Sequence, residues 1–370
     1  MKSTFRLIFA LLLAMAIAAS ASADASTTKK SKKKTKRAKP AEASTEFVHF
    51  NQWKNVTEFI DLMVTRHGFD RTQLETTFDQ AHYLERSIQL IKPAPPGKPK
   101  NWKAYRARFV ESVRIEGGIA FWDKHAEALE RAEKQFGVPA EIIVGLLGVE
   151  TIYGRHTGNF RVVDALTTLA FAYPDTPTRL ARMDFFRSEL ENILLLSRDF
   201  SLDPFSFKGS YAGAIGLSQF MPSSIRSYAV DFDNDGKIDL QASPEDAIGS
   251  IANYLALHGW KKGLPTAFPA TLINPGADPE KFADMLSTTL SQGLKASYTF
   301  EELKLLATTA SQDAPQHLLY GLVDLQNGEE PTEYWLATEN FFALTQYNRS
   351  YFYAMSVIDL GKVIAQARVK

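Results

Sequence analysis

Apolar side chains such as Phe59, Ile60, Met63 and Val64 recur at helical intervals between residues 46 and 90, ahead of the breaker run Pro93-Ala94-Pro95-Pro96-Gly97. The spacing predicts amphipathic helix over 46–90. A second helical block is predicted from about Tyr105 to Phe136, after which Gly137-Val138-Pro139 ends one helix and offers a proline suited to the first turn of the next. That next stretch, Ala140 to Thr151, has almost no polar side: Ile142, Ile143, Val144, Leu146, Leu147 and Val149 predict a central helix buried on most of its faces. Helical spacing returns over 179–199 and 244–258, and a proline- and glycine-rich stretch over 263–280 marks a boundary. Beyond it Ala296–Thr299, Leu318–Leu325 and Tyr334–Phe342 have the composition of strands, separated by turn signals such as Asn327-Gly328. No internal repeat is present, which argues against a solenoid.

The composition, 45% apolar, 12% aromatic and 23% charged over 370 residues, is that of a globular chain with room for two or three domains. Its 42 basic and 42 acidic residues cancel only on average: ten bases and one acid fall in residues 1–40, leaving 32 bases against 41 acids, net −9, over 41–370. An acidic body disfavours phosphate tracking, so no nucleic-acid partner is expected. Lys2 and Arg6, the thirteen-residue apolar run Leu7–Ala19 and the small residues Ala21-Ser22-Ala23 read as a secretory signal peptide, residues 1–23. The run falls short of the roughly 20 residues that cross a bilayer, so no transmembrane anchor is expected; a signal-anchor helix is the alternative. Residues 24–45 read as a basic disordered linker, either a solvated spacer or a tether to an anionic surface. The chain has no cysteine, so no lipid-bearing cysteine can follow the cut and no disulfide framework exists.

The seven histidines are scattered without metal-ligand spacing, and no Gly-x-Ser-x-Gly elbow, phosphate-binding loop or dinucleotide fingerprint occurs. The chemistry is left to carboxylates, hydroxyls and amides. Glu150 ends the apolar helix 140–151, where desolvation favours the neutral acid that a general acid requires. By itself such a residue also fits a helix-end carboxylate in solvent. The run from Gly209 to Ser224, with glycines 209, 213 and 216, Ser210 and Gln219, lets backbone lie close to a ligand, or else serves a tight crossing of two helices.

These residues, Gly148-Val149-Glu150-Thr151, the run Gly209–Ser224 with its Gln219-Phe220-Met221-Pro222-Ser223-Ser224, Ala252-Asn253-Tyr254 and Gln346-Tyr347-Asn348, closely resemble the lytic murein transglycosylase B family, in order from about residue 45 to the C-terminus. The resemblance implies an α+β, mostly α chain: a lysozyme-like helical core with a flanking α domain and a small antiparallel β domain. It divides the chain into an α domain over 46–130 joined by the segment 346–370, a catalytic core over 131–262 and a β-containing domain over 263–345. It implies cleavage of the β-1,4 bond between N-acetylmuramic acid and N-acetylglucosamine in peptidoglycan glycan strands, leaving 1,6-anhydromuramoyl ends, with Glu150 as the single acid and base and no cofactor needed for chemistry. Ser210, Gln219, Tyr105, Tyr173, Tyr254, Tyr347, Asn348 and Tyr353 fall where the family binds sugar. The neighbouring arginine pair of the family is not preserved, and Arg182 is the best single match. Association with other cell-wall synthesis or hydrolysis enzymes is compatible with this reading, and the expected location is the periplasm, in soluble form. The alternatives are a hydrolytic muramidase, which needs a second carboxylate, and a non-catalytic peptidoglycan-binding or scaffold protein.

Asp231, Asp233, Asp235, Lys237 (through its backbone carbonyl) and Asp239 occupy the first nine places of an EF-hand-like loop, with Gly236 at the sharp turn. Place twelve is Ala242, which supplies no carboxylate, so Asp246 or, less favoured, Glu245 must close a longer loop. The expectation is a structural calcium ion; the alternative is an ion-free Asp-Gly turn.

Overall fold

A computed structural model describes residues 50, 53–93, 99–273, 278–291, 293–309 and 314–369. The expected signal peptide (1–23) and basic linker (24–45) lie outside the described residues. The chain begins with α1 (Lys54–His67), α2 (Arg71–Gln80) and α3 (Glu85–Ile91), where the apolar period had predicted continuous helix. Local chemistry cuts that period: Gly68 adopts a left-handed φ of 67° that ends α1, and the Asp70 carboxylate caps α2 by accepting from Gln73 N. The second predicted block is likewise divided into α4 (Trp102–Arg106), α5 (Ser112–Lys124) and α6 (Ala126–Phe136), with Glu111 capping α5 through Val113 N and Arg114 N.

The apolar stretch forms α7 (Ala140–Thr151), and ten of its 12 residues are buried. Around it follow β1 (Phe160–Arg161), α8 (Val162–Ala172), α9 (Arg179–Asp199), β2 (Lys208–Gly209), α10 (Pro222–Tyr228) and α11 (Pro244–Leu257). The proline- and glycine-rich stretch read as a boundary contains β3 (Ala267–Leu272) and leads into α12 (Pro279–Leu290), capped by Asp278. Then come β4 (Tyr298–Thr299), α13 (Phe300–Leu303), β5 (Ala307–Thr309), β6 (Leu319–Asn327), β7 (Glu330–Ala337), α14 (Glu339–Tyr347) and α15 (Tyr351–Arg368). The stretch 334–342, expected as strand, changes type midway because Thr338 accepts from Asn340 N and starts α14.

The fold is therefore α+β and mostly helical. Its antiparallel sheet runs β4-β6-β7-β3-β5. Strand β6 is covered on both faces: Tyr320 and Leu322 enter a small core with Phe268, Leu303 and Leu336, while Val323 and Leu325 enter the large helical core. That explains why its sequence reads as a nearly continuous apolar run.

Helix α15 crosses α7 at backbone contact. A Cβ at Gly145 of α7 would lie 2.3 Å from Val357 O, and one at Gly361 of α15 would lie 2.2 Å from Glu141 O. The two glycines face each other's helix, so neither position accepts a side chain.

Candidate active site

Glu150 occupies the last turn of α7 and keeps part of its surface open. Burial pushes its carboxyl up to about 7, against the pull of Tyr353 on α15, whose hydroxyl donates to Glu150 Oε1 at 2.5 Å. Among the described residues no second carboxylate contributes to this shift.

The turn after Glu150 is fixed from three sides. Ile152 and Tyr153 both take left-handed backbone, φ 50° and 57°, an arrangement that non-glycine residues hold only when their surroundings enforce it. Thr151 Oγ1 donates to Leu217 O at 3.0 Å and accepts from Gly154 N. The Tyr153 ring fills the space left by Gly117, Gly118 and Gly148, and its hydroxyl donates to Arg114 O at 3.0 Å. Arg114, itself buried, donates from Nε to Gly148 O at 3.0 Å, a cation on the carboxyl-terminal turn of α7.

Behind Tyr353 the aromatic residues form a wall. Tyr347 stacks on Tyr353 at 6.5 Å and 15°, Tyr254 meets Tyr347 at 5.0 Å, and His258 stacks on Tyr254 at 3.9 Å. Their hydroxyls are engaged by protein: Tyr254 donates to Gln346 O at 2.8 Å and Tyr347 donates to Ser218 O. Tyr254 and Tyr353 are buried; Tyr353 meets Glu150 directly, and Tyr254 packs behind it on Tyr347. Burial and the nearby Glu150 charge push the Tyr347 and Tyr353 hydroxyls well up.

Tyr105 is different. It is half-buried, edges Phe352 at 5.4 Å, carries the Arg108 guanidinium over its ring at 4.4 Å, and is close enough to Glu150 for that charge to act on its hydroxyl. Asn348 ends α14 and is half-buried. Tyr173 is buried on Phe186, its hydroxyl accepting from Arg182 Nε at 3.3 Å.

Ser210 and Gln219 lie in the glycine-rich run. The Ser210 Oγ accepts from Ala214 N at 3.0 Å, which leaves its proton to donate. Gln219 Nε2 donates to Thr157 O and Gly216 O, which leaves the amide oxygen to accept. The supports contributed by Arg114, Thr151, Tyr153 and Ser218 were missed in the sequence. For Tyr153 the available signal was the pair of glycines 117 and 118, whose vacancy its ring fills.

In the acidic loop the carboxylates of Asp231, Asp233 and Asp246 converge within 4.8 Å of one another. The carboxylate of Asp235 accepts instead from Lys237 N, and that of Asp239 from Gln241 N and Ala242 N. Glu245 is 2.8 Å from His125 Nδ1, which leaves Asp246 to face the loop. Burial pushes the Asp246 carboxyl up and the charge of Asp233 adds to it, against backbone N–H groups that pull it down. A cation at this point would relieve the mutual repulsion, so the donor set fits a hard oxygen-seeking ion.

Residues 50–362 match the family described as Transglycosylase SLT domain. The chain is 42% identical over 325 residues to the membrane-bound lytic murein transglycosylase B of Escherichia coli K12, covering 85% of this chain and 84% of that one. The soluble lytic transglycosylase SltB1 from Pseudomonas aeruginosa is 42% identical, with a TM-score of 0.75 over 85% of this chain and 100% of that one. The Escherichia coli lytic transglycosylase Slt35, solved in complex with calcium, is 40% identical, with a TM-score of 0.74 over 89% of this chain and 100% of that one.

Proposed function

Since the chain belongs to the transglycosylase SLT domain family, we propose that it is a peptidoglycan lytic transglycosylase that cuts the β-1,4 bond between N-acetylmuramic acid and N-acetylglucosamine without adding water, in cell-wall turnover. The observation that carries this reading is one carboxyl, Glu150, partly open at the end of the apolar helix α7, raised to about 7 by burial and bonded by the Tyr353 hydroxyl. Hydrolytic glycosidases generally use two. Protonated Glu150 donates to the leaving glycosidic oxygen, while the 2-acetamido oxygen of the muramoyl residue bonds to the anomeric carbon as that bond breaks. The 6-hydroxyl of the same sugar then attacks the anomeric carbon, the acetamido oxygen leaves, and the Glu150 carboxylate takes the hydroxyl proton. One carboxyl thus serves as acid and then base.

Tyr353 favours the carboxylate between the two steps, and Ser210 or Asn348 orients the acetamido group. Tyr105 offers its ring edge and hydroxyl to a sugar, Asn348 an amide and Gln219 an amide oxygen. Tyr254, Tyr347 and, further off, Tyr173 act in this reading as the wall that shapes the cleft. Asp231, Asp233 and Asp246 would hold a calcium ion, which neutralises the loop and takes no part in the chemistry. Location in the periplasm in soluble form is proposed from the leader and the missing cysteine; no helix of the described residues is long and apolar enough to cross a membrane.

Glu150→Gln assayed on purified peptidoglycan tests the reading, with turnover expected to fall at least about a hundredfold. Mass spectrometry of the wild-type products should find muramoyl ends lighter by one water than hydrolysis gives; products carrying the added water would replace this reading with a muramidase.

A further inference from the structure

Gln219, whose amide oxygen is offered to the sugar in the reading above, is buried in left-handed backbone, φ 51°. A residue other than glycine stays there only where its neighbours enforce it. Ahead of Gln219 the restraints are backbone bonds: Gln219 N donates to Gly216 O, Ile215 and Phe220 exchange both of their hydrogen bonds, and Leu217 O accepts from Thr151 Oγ1. Behind it only Phe220 and Met221 separate Gln219 from α10. That helix does not cap itself. Met221 stands at its N-cap and offers no acceptor, and Pro222 in the first turn has no N–H. The first N–H of α10 is that of Ser223, and a different helix takes it up. Ser223 N donates to Glu189 Oε2 at 2.9 Å, and Ser223 Oγ donates to Glu189 Oε1 at 2.7 Å. Glu189 lies in the middle of α9 and is only 3% exposed. Burial pushes its carboxyl up, and the two bonds from Ser223 pull it down. The other polar links between α9 and α10 run from Arg226 to Asn192 and Asp199, between exposed groups. A carboxyl kept between two packed helices costs more than an apolar side chain of its volume, so joining α9 to α10 does not by itself account for it.

We infer that Glu189 is a positioning residue of the active site: by holding Ser223 it fixes the start of α10 and so keeps the Gln219 amide where the sugar meets it, an inference that rests on the transglycosylase reading. The constraint passes along three residues, Phe220, Met221 and Pro222, too few to absorb a shift of the helix end. Phe220 carries it on to the aromatic wall, its ring meeting Tyr254 at 5.5 Å and Tyr347 at 5.7 Å. Loss of the carboxyl frees Ser223, and the turn at Gln219 can then relax out of its left-handed backbone. A small displacement of a group that orients substrate lowers turnover although the acid itself is untouched.

The test is a double-variant cycle on the full chain, combining Glu189→Leu with Gln219→Ala and reading kcat/KM on purified peptidoglycan beside the melting temperature. Glu189→Leu should lower kcat/KM about tenfold while the Gln219 amide is present and less than about twofold once it is gone. Its effect on the melting temperature should be the same in both backgrounds. Glu189→Gln, which can still accept from Ser223 N and donate to Ser223 Oγ, should recover activity to within about threefold of the wild type. If Glu189→Leu does not fold, Ser223→Ala carries the cycle, with a loss of about threefold expected. Equal losses with and without the Gln219 amide, or a lowered melting temperature with kcat/KM unchanged, overturn the inference. The cycle is repeated in the Glu150→Gln background, reading the affinity for a soluble tetrasaccharide of alternating N-acetylglucosamine and N-acetylmuramic acid. If the wild type left no anhydro ends, the transglycosylase reading would fall, and the coupling of Glu189 to Gln219 in glycan affinity would still decide the positioning role.

Discussion

In the proposed mechanism a single side chain, Glu150, links acidity, stability and turnover. Its folded-state value of about 7 stands above the usual carboxylate value of 4.5, so the folded chain holds a proton that the unfolded chain releases. Folding is therefore penalised progressively as pH rises from about 4.5 to 7, and the full penalty, up to about 3 kcal/mol, applies above 7. Glu150→Gln, besides losing activity, should melt at higher temperature than the wild type at pH 8 and at the same temperature at pH 4. Scanning calorimetry at the two values checks this. Because the proposed first step uses the protonated Glu150, wild-type kcat/KM should fall as pH rises through about 7. Tyr353→Phe removes the donor that favours the charged form, so the falling limb should move to higher pH by up to about one unit. Absence of any displacement in the pH–rate profile would mean the hydroxyl does not act on the carboxyl. Glu150 was legible as the polar end of an apolar helix. Its partner, 203 residues away in sequence, leaves no local trace, since only the crossing of α7 and α15 brings the two together.

That crossing belongs to the scale of elements. Gly361→Ala would press a methyl against Glu141 O. The helices would have to separate, at a cost of about 1–3 kcal/mol, and the Tyr353 hydroxyl would move with α15. A lowered melting temperature with a disproportionate loss of kcat is expected, measured by thermal melting and steady-state kinetics. The acidic loop is the other element with a test. Calcium at a hundredfold excess over its dissociation constant should stabilise the chain by about 2.7 kcal/mol, and Asp233→Asn should abolish the thermal shift. An unchanged melting curve at millimolar calcium would remove the ion from the account. Long helices with one unbroken period, α7, α9 and α11, were readable in the sequence. The block 46–90 was not resolved, because apolar spacing carries across the caps at Gly68 and Asp70 that divide it. The run 334–342 hid a change of element for a related reason: Trp335, Leu336, Phe341 and Phe342 look alike in composition, and only Thr338 marks the switch.

Across the whole molecule, the two cores meet at β6, whose alternate side chains enter each of them. The sheet is therefore joined to the helical body through a shared strand, a relation that composition alone leaves invisible. The last helices have a comparable role. Tyr347, Tyr353 and Gly361 all come from α14 and α15, whereas Glu150 is on α7. A chain ending at residue 338 should retain Glu150 yet show no turnover of peptidoglycan, and its α7 should lose protection against amide exchange. Order of synthesis then carries a consequence: α15, which braces α7 and brings the Tyr353 hydroxyl to Glu150, is made some two hundred residues after α7, so the surroundings of that carboxyl are assembled only after most of the chain has left the ribosome.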